Sequence, residues 1–322
     1  MLHDMPSSAS RRIIVIAIAT LVSGLIAPVS GQAPKARPKI RHAVQPGDSA
    51  RPPRRIVEWP VIPVLPGALL PSSRIVAFYG NPLSTGMGIL GALPPKQMLD
   101  KLAATAKEWE HADSTHVVRP ALHLIATVAL GNKGADGLYR VRHSDSLIAR
   151  VAGWAEERNW LMFLDVQVGW STVPAELTRL RTWLKKPWAH LALDPEFAMY
   201  DGRIPGKKFG TLDARDVNYA IDFLAKIVDE EHLPPKVLVV HRFTDDMLTN
   251  YKLIKRDPRV QVVIDMDGNG GPAVKRHMYD IIVAPHPVQF TGFKLFYKQD
   301  KPMMTLAQVL ALQPVPLYIQ YQ

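Results

Sequence analysis

Three apolar runs of the sequence end in carboxylic acids. Asp165 follows LMFL, Asp194 and Glu196 follow HLAL, and Asp265 and Asp267 end the run VQVVIDMD. Two neighbouring carboxyl groups can break a glycosidic bond, one protonated as general acid and the other ionised as nucleophile or base. We expect Glu196 to be the acid and Asp165 or Asp265 to be its partner. Asp194 completes the predicted catalytic set.

Other polar side chains end apolar runs in the same way. Strand side chains alternate between two faces, so Asp165 shares a face with Gln167, and Asp265 with Asp267. Because unpaired buried carboxylates are costly, the acids need cationic neighbours such as Lys294 and His241. The residues predicted to bind substrate are Tyr79, Asn81, Gln167, His241, Arg242, Asp267, Lys294 and Tyr297.

The segments that must position these residues alternate between β-rich runs and amphipathic helical patterns. The predicted strands are Arg74–Gly80, Ala121–Val128, Trp160–Gln167, His190–Phe197, Lys236–His241, Val260–Asp267, Asp280–Ala284 and Thr291–Tyr297. Eight βα units in about 240 residues are typical of a barrel whose active site lies at the C-terminal ends of its strands. The sequence therefore predicts an α/β fold, a (β/α)8 TIM-type barrel.

The helices that connect the predicted strands can be predicted in part. The gap between the seventh and eighth predicted strands is too short for a helix, so we expect that outer helix to be missing. Helices are predicted over about 245–254 and near 305–312. An open doubly wound sheet is the alternative fold, but no GxGxxG turn follows the first strand, and no cofactor is predicted.

The N-terminal region indicates export. Arg11 and Arg12 precede an uncharged run, Ile13–Ala27, and small residues follow it. This pattern is typical of a signal peptide; an uncleaved anchor and a twin-arginine signal are the alternatives. We predict a signal peptide over 1–31, a Pro-rich basic linker over 32–71 and the barrel domain over 72–322. The expected location is periplasmic or extracellular, with membrane contact only through the N-terminal segment.

Composition narrows the possible functions. The net charge is +10, but residues 1–60 hold nine Lys/Arg and three Asp/Glu, so they carry +6 and the other 262 residues carry only +4. The barrel is therefore not expected to bind nucleic acid. There is no cysteine, which excludes thiol nucleophiles, disulfides and thiolate metal sites. The sequence indicates no particular oligomeric state.

Two resemblances follow from these motifs. Around FLDVQ and LALDPEF the chain resembles glycoside-hydrolase-like (β/α)8 barrels, which place acids after their third and fourth strands. Through YGNP, LALDPEF, VVHRF and GFKLFY it resembles a group of exported bacterial proteins to which no activity is assigned. The first resemblance implies a hydrolase acting on a carbohydrate or cell-envelope polymer. The DxxDxDxE pattern of chitinase-like barrels is absent, which argues against their mechanism.

Two other functions stay open. The first is a metal-dependent hydrolase, for example of phosphodiesters, with ligands among Asp165, Asp194, Glu196, Asp265 and His241. The first strand, however, lacks a metal-binding HxH, and we predict no metal ligand in the site. The second is a non-catalytic barrel that binds glycan or a cell-wall polymer.

Overall fold

Eight parallel strands close into a barrel in the computed structural model, which describes residues 57–322. In chain order, barrel strands 1 to 8 are Ser73–Gly80, Val117–Ala129, Leu161–Val166, Ala189–Leu193, Lys236–Arg242, Val260–Met266, Phe290–Leu295 and Tyr318–Tyr321. Each strand pairs with the next, and strand 8 closes the ring by pairing with strand 1, with Ile75 opposite Tyr318. The predicted TIM-type barrel is therefore confirmed. The predicted signal peptide and most of the linker lie outside the described residues.

The helices occupy the connections between the strands. They span Ile89–Ala92, Pro95–Ala112, Asp145–Glu156, Val173–Leu184, Ala214–Glu231, Pro272–Met278 and Leu306–Leu310. Ser144 caps the third helix by accepting a hydrogen bond from the Leu147 amide, and Asp213 opens the fifth with a reciprocal capping box. Within residues 57–322, none of the helices combines the length and the apolar character that crossing a bilayer requires.

The C-terminal strands differ from the prediction. The segment predicted as strand 7, Asp280–Ala284, lies instead in a helical turn, Tyr279–Val283, that continues the helix before it. Tyr279, Ile282 and Val283 are buried while Ile281 is 47% exposed, a helical rather than an alternating pattern. The predicted eighth strand is barrel strand 7. The true eighth strand, Tyr318–Tyr321, was not predicted because it is only four residues long and follows two prolines, which are unfavourable in strands.

This reassignment also changes the outer helices. The short gap at 285–290 joins a helical turn to a strand, while the connection between barrel strands 7 and 8 holds the five-residue helix Leu306–Leu310. The helix predicted over 245–254 is wrong. It is replaced by single 3-10 turns, Asp245–Met247 and Tyr251–Leu253, around the short strand Leu248–Thr249. Asn250, in the left-handed conformation at φ 54°, interrupts any helix there.

The inside of the barrel changes from apolar to polar along its axis. Near the N-terminal ends of the strands, inward side chains such as Ile75, Phe163 and Val239 form an apolar core. A larger apolar layer between the strands and the helices surrounds the barrel. Two residues beyond Phe163, Val239 and Val263, the inward positions carry Asp165, His241 and Asp265. The apolar layer thus forms a dry base beneath a polar mouth.

Candidate active site

The polar layer is built by the two-residue alternation of the strands. His123 on strand 2, Asp165 on strand 3, His241 on strand 5 and Asp265 on strand 6 all point inward, and each is 0% exposed. His241 and Asp265 are register partners on neighbouring strands. Barrel closure brings these four side chains, which are far apart in sequence, onto one level of the interior.

Asp165 lies between two histidines. His123 Nε2 and His241 Nε2 each lie 3.8 Å from Asp165 Oδ2. The second ring nitrogen of His241, Nδ1, contacts two acids: it lies 3.4 Å from Asp265 Oδ2 and 3.2 Å from Asp267 Oδ2. His241 therefore connects the acid of strand 3 to the two acids of strand 6.

Lys294 on strand 7 neutralises one of these acids. Its Nζ lies 2.8 Å from Asp267 Oδ1 and 3.9 Å from the centre of the Tyr79 ring, where a cation–π contact adds to the ion pair. Lys294 is 3% exposed and Asp267 7%. In this poorly solvated position the ion pair keeps Asp267 ionised.

A cavity of about 620 Å³ opens above this layer at the C-terminal mouth of the barrel. Its polar lining includes Tyr79, Gln167, Asp194, Glu196, Asp267 and Lys294, and its apolar lining includes Phe197, Phe209, Phe243 and Phe296. A second cavity of about 600 Å³ adjoins the first, since Glu196 and Phe209 line both. The second cavity is also lined by Arg203, Lys207 and Lys208.

Asp194 fixes the local geometry around Glu196. Its Oδ1 accepts a hydrogen bond from the Glu196 backbone amide at 3.1 Å, which opens the 3-10 turn Pro195–Phe197. Its Oδ2 accepts from Gln167 Nε2 at 3.0 Å, and Gln167 Oε1 in turn accepts from the Ala129 amide at 3.0 Å. Asp194 is therefore both a turn former and part of the cavity wall.

Of the three carboxyl groups that line the cavity, those of Glu196 and Asp267 have pKa values shifted in opposite directions. Burial, with the negative charge of Asp267, raises the pKa of Glu196 to about 7. Burial also opposes ionisation of Asp267, but the charges of Lys294 and His241 outweigh it and lower the pKa of Asp267 to about 2. Near neutral pH one carboxyl group can hold a proton while the other is ionised.

Burial and neighbouring charges also shift the pKa values of the other acids and histidines. Burial raises the pKa of Asp194 well above its ordinary range, and burial also raises the pKa of Asp265. Burial lowers the pKa of His123 to about 4. For His241, burial opposes protonation, but Asp267, Asp265 and Asp165 raise the pKa well above its ordinary value.

Nine of the twelve predicted site residues converge here. They are Tyr79, Asp165, Gln167, Asp194, Glu196, His241, Asp265, Asp267 and Lys294. Asp165 and Asp265, however, lie beneath the cavity rather than in its lining. Both were predicted at strand ends. Each lies one layer of side chains below the cavity, where it cannot contact a substrate directly.

Three predicted substrate-binding residues lie elsewhere. Asn81 follows the end of strand 1, and its Oδ1 accepts from the Leu83 amide in a turn. Arg242 comes directly after the inward His241, so it points to the opposite face and binds Thr244 and Asp245. Tyr297 stacks on Tyr321 at 5.4 Å, outside the cavity lining.

The sequence analysis missed several residues of the site. His123 lies in the middle of a strand, whereas the prediction rested on polar residues at strand ends. The alternation of side chains in ALHLIATV could have identified His123 as an inward-facing residue. Tyr318 and Gln320 were missed with their strand. Phe209 and Phe243 lie in loops, where no periodicity identifies them.

Comparison with known proteins adds a fold-level similarity. No protein-family model matches the chain, and no curated protein matches it. Among solved structures, the chain is similar to a ruminal GH26 endo-β-1,4-mannanase, at 10% sequence identity and a TM-score of 0.38. The match covers 78% of this chain, which spans only 58% of the mannanase chain. The predicted (β/α)8 barrel is confirmed by the closed ring of eight parallel strands in the structure itself.

Proposed function

We propose that the protein is an exported glycoside hydrolase-like enzyme in which Glu196 is the general acid and Asp267 its ionised partner. One observation carries this proposal: Glu196 and Asp267 line one cavity, and of these two only Asp267 has a cation within ion-pair distance. Asp194, the third carboxyl group of the lining, is held instead by Gln167 and the Glu196 amide. Within residues 57–322, no ion pair engages the Glu196 carboxylate. The opposite directions of their pKa shifts agree with this geometry.

The division of labour follows from the charges. Glu196 stays protonated near neutral pH and donates its proton to the departing glycosidic oxygen. Asp267 stays ionised beside Lys294, as required of a nucleophile or of a base that activates water. Asp165 and Asp265, predicted as partners of the acid, lie below the cavity; they act through His241, whose positive charge faces Asp267.

The lining of the two cavities supports a carbohydrate substrate. The phenyl rings of Phe197, Phe209 and Phe243 offer flat apolar surfaces, and the neighbouring amides and carboxylates offer hydrogen bonds to hydroxyl groups. Glu196 lies at the junction of the two cavities, so a bound chain can extend to both sides of the acid. A polysaccharide or glycoconjugate fits this shape better than a single sugar.

The test compares Glu196→Gln and Asp267→Asn with the wild type on a panel of polysaccharides and aryl glycosides. Removing a general acid lowers the rate about 10²–10⁴-fold. We expect Glu196→Gln to retain more activity on glycosides whose leaving group needs no proton, whereas Asp267→Asn loses activity on all of them. Glu157→Gln, at a carboxylate that is 70% exposed, is the matched control.

Two results would contradict the proposal. Unchanged turnover in Glu196→Gln would remove the acid from the mechanism. Glycan binding by the wild type with no turnover on any substrate, and with binding retained in Glu196→Gln, would favour the non-catalytic barrel instead.

A further inference from the structure

We propose that His123, Asp165 and His241 bind a divalent transition-metal ion beneath the cavity, at a site separate from the Glu196–Asp267 pair. The sequence placed Asp165 and His241 among possible metal ligands but did not include His123. Of the other predicted ligands, Asp194 and Glu196 lie higher in the barrel and line the cavity, and Asp265 faces the opposite nitrogen of His241, Nδ1.

The ligand atoms face one another. One donor atom from each of the three side chains lies within 4.8 Å of the others. His123 Nε2 and His241 Nε2 approach the same oxygen, Asp165 Oδ2, at 3.8 Å. These separations are too long for hydrogen bonds. An ion bound at about 2.0–2.2 Å from each ligand would draw the three side chains together.

The same atoms lack other partners. Both oxygens of Asp165, Nε2 of His123 and Nε2 of His241 are buried without a hydrogen bond among the described residues. A buried polar atom without a hydrogen bond destabilises the fold, and more so when it is charged. Three of these atoms, His123 Nε2, His241 Nε2 and Asp165 Oδ2, face one another, an arrangement that a bound cation would resolve.

The outer ring nitrogens also face polar groups. His241 Nδ1 lies 3.2 Å from Asp267 Oδ2, and when it holds its hydrogen toward that oxygen, Nε2 is left with a lone pair directed at the site. His123 Nδ1 lies 2.5 Å from the Tyr318 hydroxyl oxygen and 2.9 Å from the side-chain nitrogen of Gln320, which is an N–H donor. Metal binding through His123 Nε2 therefore requires that Nδ1 hold its hydrogen toward Tyr318 and that Gln320 turn its amide oxygen, which has no hydrogen bond among the described residues, to this side. Metal-binding histidines are usually oriented by such contacts.

The charge balance points the same way. The ammonium group of Lys294 is paired with Asp267 and not with the fully buried Asp165. A divalent cation between His123, Asp165 and His241 would supply positive charge beside Asp165, taking the place of a proton on His241.

The ligand types select the class of metal. Two imidazoles and one carboxylate suit Zn²⁺, Co²⁺, Fe²⁺ or Mn²⁺, whereas Mg²⁺ and Ca²⁺ prefer all-oxygen sites. Through His241, a bound ion would also hold Asp267 in place. The ion itself lies one layer below the cavity lining and is not assigned a part in bond cleavage.

The experiment measures metal binding directly. The protein is treated with a chelator, dialysed and then incubated with Zn²⁺, Co²⁺, Mg²⁺ or Ca²⁺. We expect one Zn²⁺ per chain by elemental analysis, a rise in melting temperature with Zn²⁺, and visible absorption bands with Co²⁺. Mg²⁺ and Ca²⁺ should give neither stoichiometric binding nor a rise in melting temperature.

Variants distinguish loss of the metal ligands from a general disturbance of the fold. His123→Gln and Asp165→Asn should weaken Zn²⁺ binding at least about 100-fold. His190→Gln is the control, because His190 is another barrel histidine, 1% exposed, whose Nδ1 accepts from the Val237 amide rather than facing Asp165. It should bind Zn²⁺ as the wild type does.

Two outcomes would overturn the proposal. One is a wild-type protein that takes up less than about a tenth of an equivalent of Zn²⁺ and Co²⁺, with no change in melting temperature. The other is unchanged binding in folded His123→Gln and Asp165→Asn. If these variants do not fold, the Co²⁺ spectrum and Zn²⁺ stoichiometry of the wild type decide. Because neither readout requires turnover, failure here leaves the glycosidase proposal untouched.

Discussion

Lys294 Nζ lies 2.8 Å from Asp267 Oδ1 at the mouth of the barrel, and both side chains are almost fully buried. This ion pair distinguishes Asp267 from Glu196, which lines the same cavity. Removing one partner of a buried ion pair leaves an uncompensated charge, which typically costs about 3–5 kcal/mol. The pair therefore bears on both the stability of the fold and the protonation of the site.

Replacing Lys294 with Met should shift the acid limb of the pH–rate profile to higher pH. The ammonium lowers the pKa of Asp267, so its loss leaves burial to raise that pKa. A lowered folded-state pKa stabilises the fold above the unfolded value, and this stability is lost as the pH falls through about 2. The variant should therefore be less stable at neutral pH. Kinetics from pH 3 to 9 and urea denaturation measure both effects.

The control for this change is Lys298→Met, which removes an exposed lysine four residues away. It should leave the profile and the unfolding free energy within error of the wild type. An acid limb that does not move in Lys294→Met would show that Asp267 is not the ionised partner.

Replacing Glu196 with Gln should make the protein more stable above neutral pH, even as it lowers activity. The folded-state pKa of Glu196 is raised to about 7, so the carboxylate form disfavours folding. A raised carboxyl pKa has no cost below the unfolded value near 4.3, and its cost grows until the pH passes about 7. With allowance for partial exposure, we expect a gain of about 1–3 kcal/mol at pH 8 relative to pH 4.

Urea denaturation of wild type and variant at pH 4, 6 and 8 measures this gain. Glu157→Gln, at an exposed carboxylate, should change stability by no more than about 0.5 kcal/mol at each pH. A difference between wild type and Glu196→Gln that stays constant from pH 4 to 8 would contradict the raised pKa.

Replacing Gln167 with Leu should lower kcat without removing any group that reacts. Gln167 donates to Asp194, and Asp194 accepts from the backbone amide of Glu196, so this change loosens the turn that carries the acid. Loss of a hydrogen bond to a carboxyl group costs about 1.5–3 kcal/mol, which corresponds to a roughly 10- to 100-fold lower kcat if the loss falls on the transition state. Steady-state kinetics gives the split between kcat and KM.

Tyr297→Phe is the comparison for this prediction, since the sequence placed Tyr297 in the site and the structure places it against Tyr321. Its kcat and KM should stay within about twofold of the wild type. Equal effects of the two substitutions would mean that the Gln167 contacts have no special relation to the acid.

The alternation of side chains made much of this site predictable. Asp165 and His241 end apolar runs that can only be buried strands, and strand geometry then directs them inward when their neighbours face the helices. The same rule shows why Arg242, one position further, had to point away. His123 also points inward by the same alternation. It was not predicted because it lies in the middle of its strand and not at the end.

The amino-acid sequence by itself determined that the chain forms buried parallel strands with acids near their C-terminal ends, because these properties depend on local composition and a period of two. Only the tertiary structure decided which acid stands beside Lys294, which two histidines face Asp165, and that Tyr318–Tyr321 completes the ring. Those relationships depend on register and closure between strands that are separate in the sequence, and local patterns carry no record of which strands become neighbours.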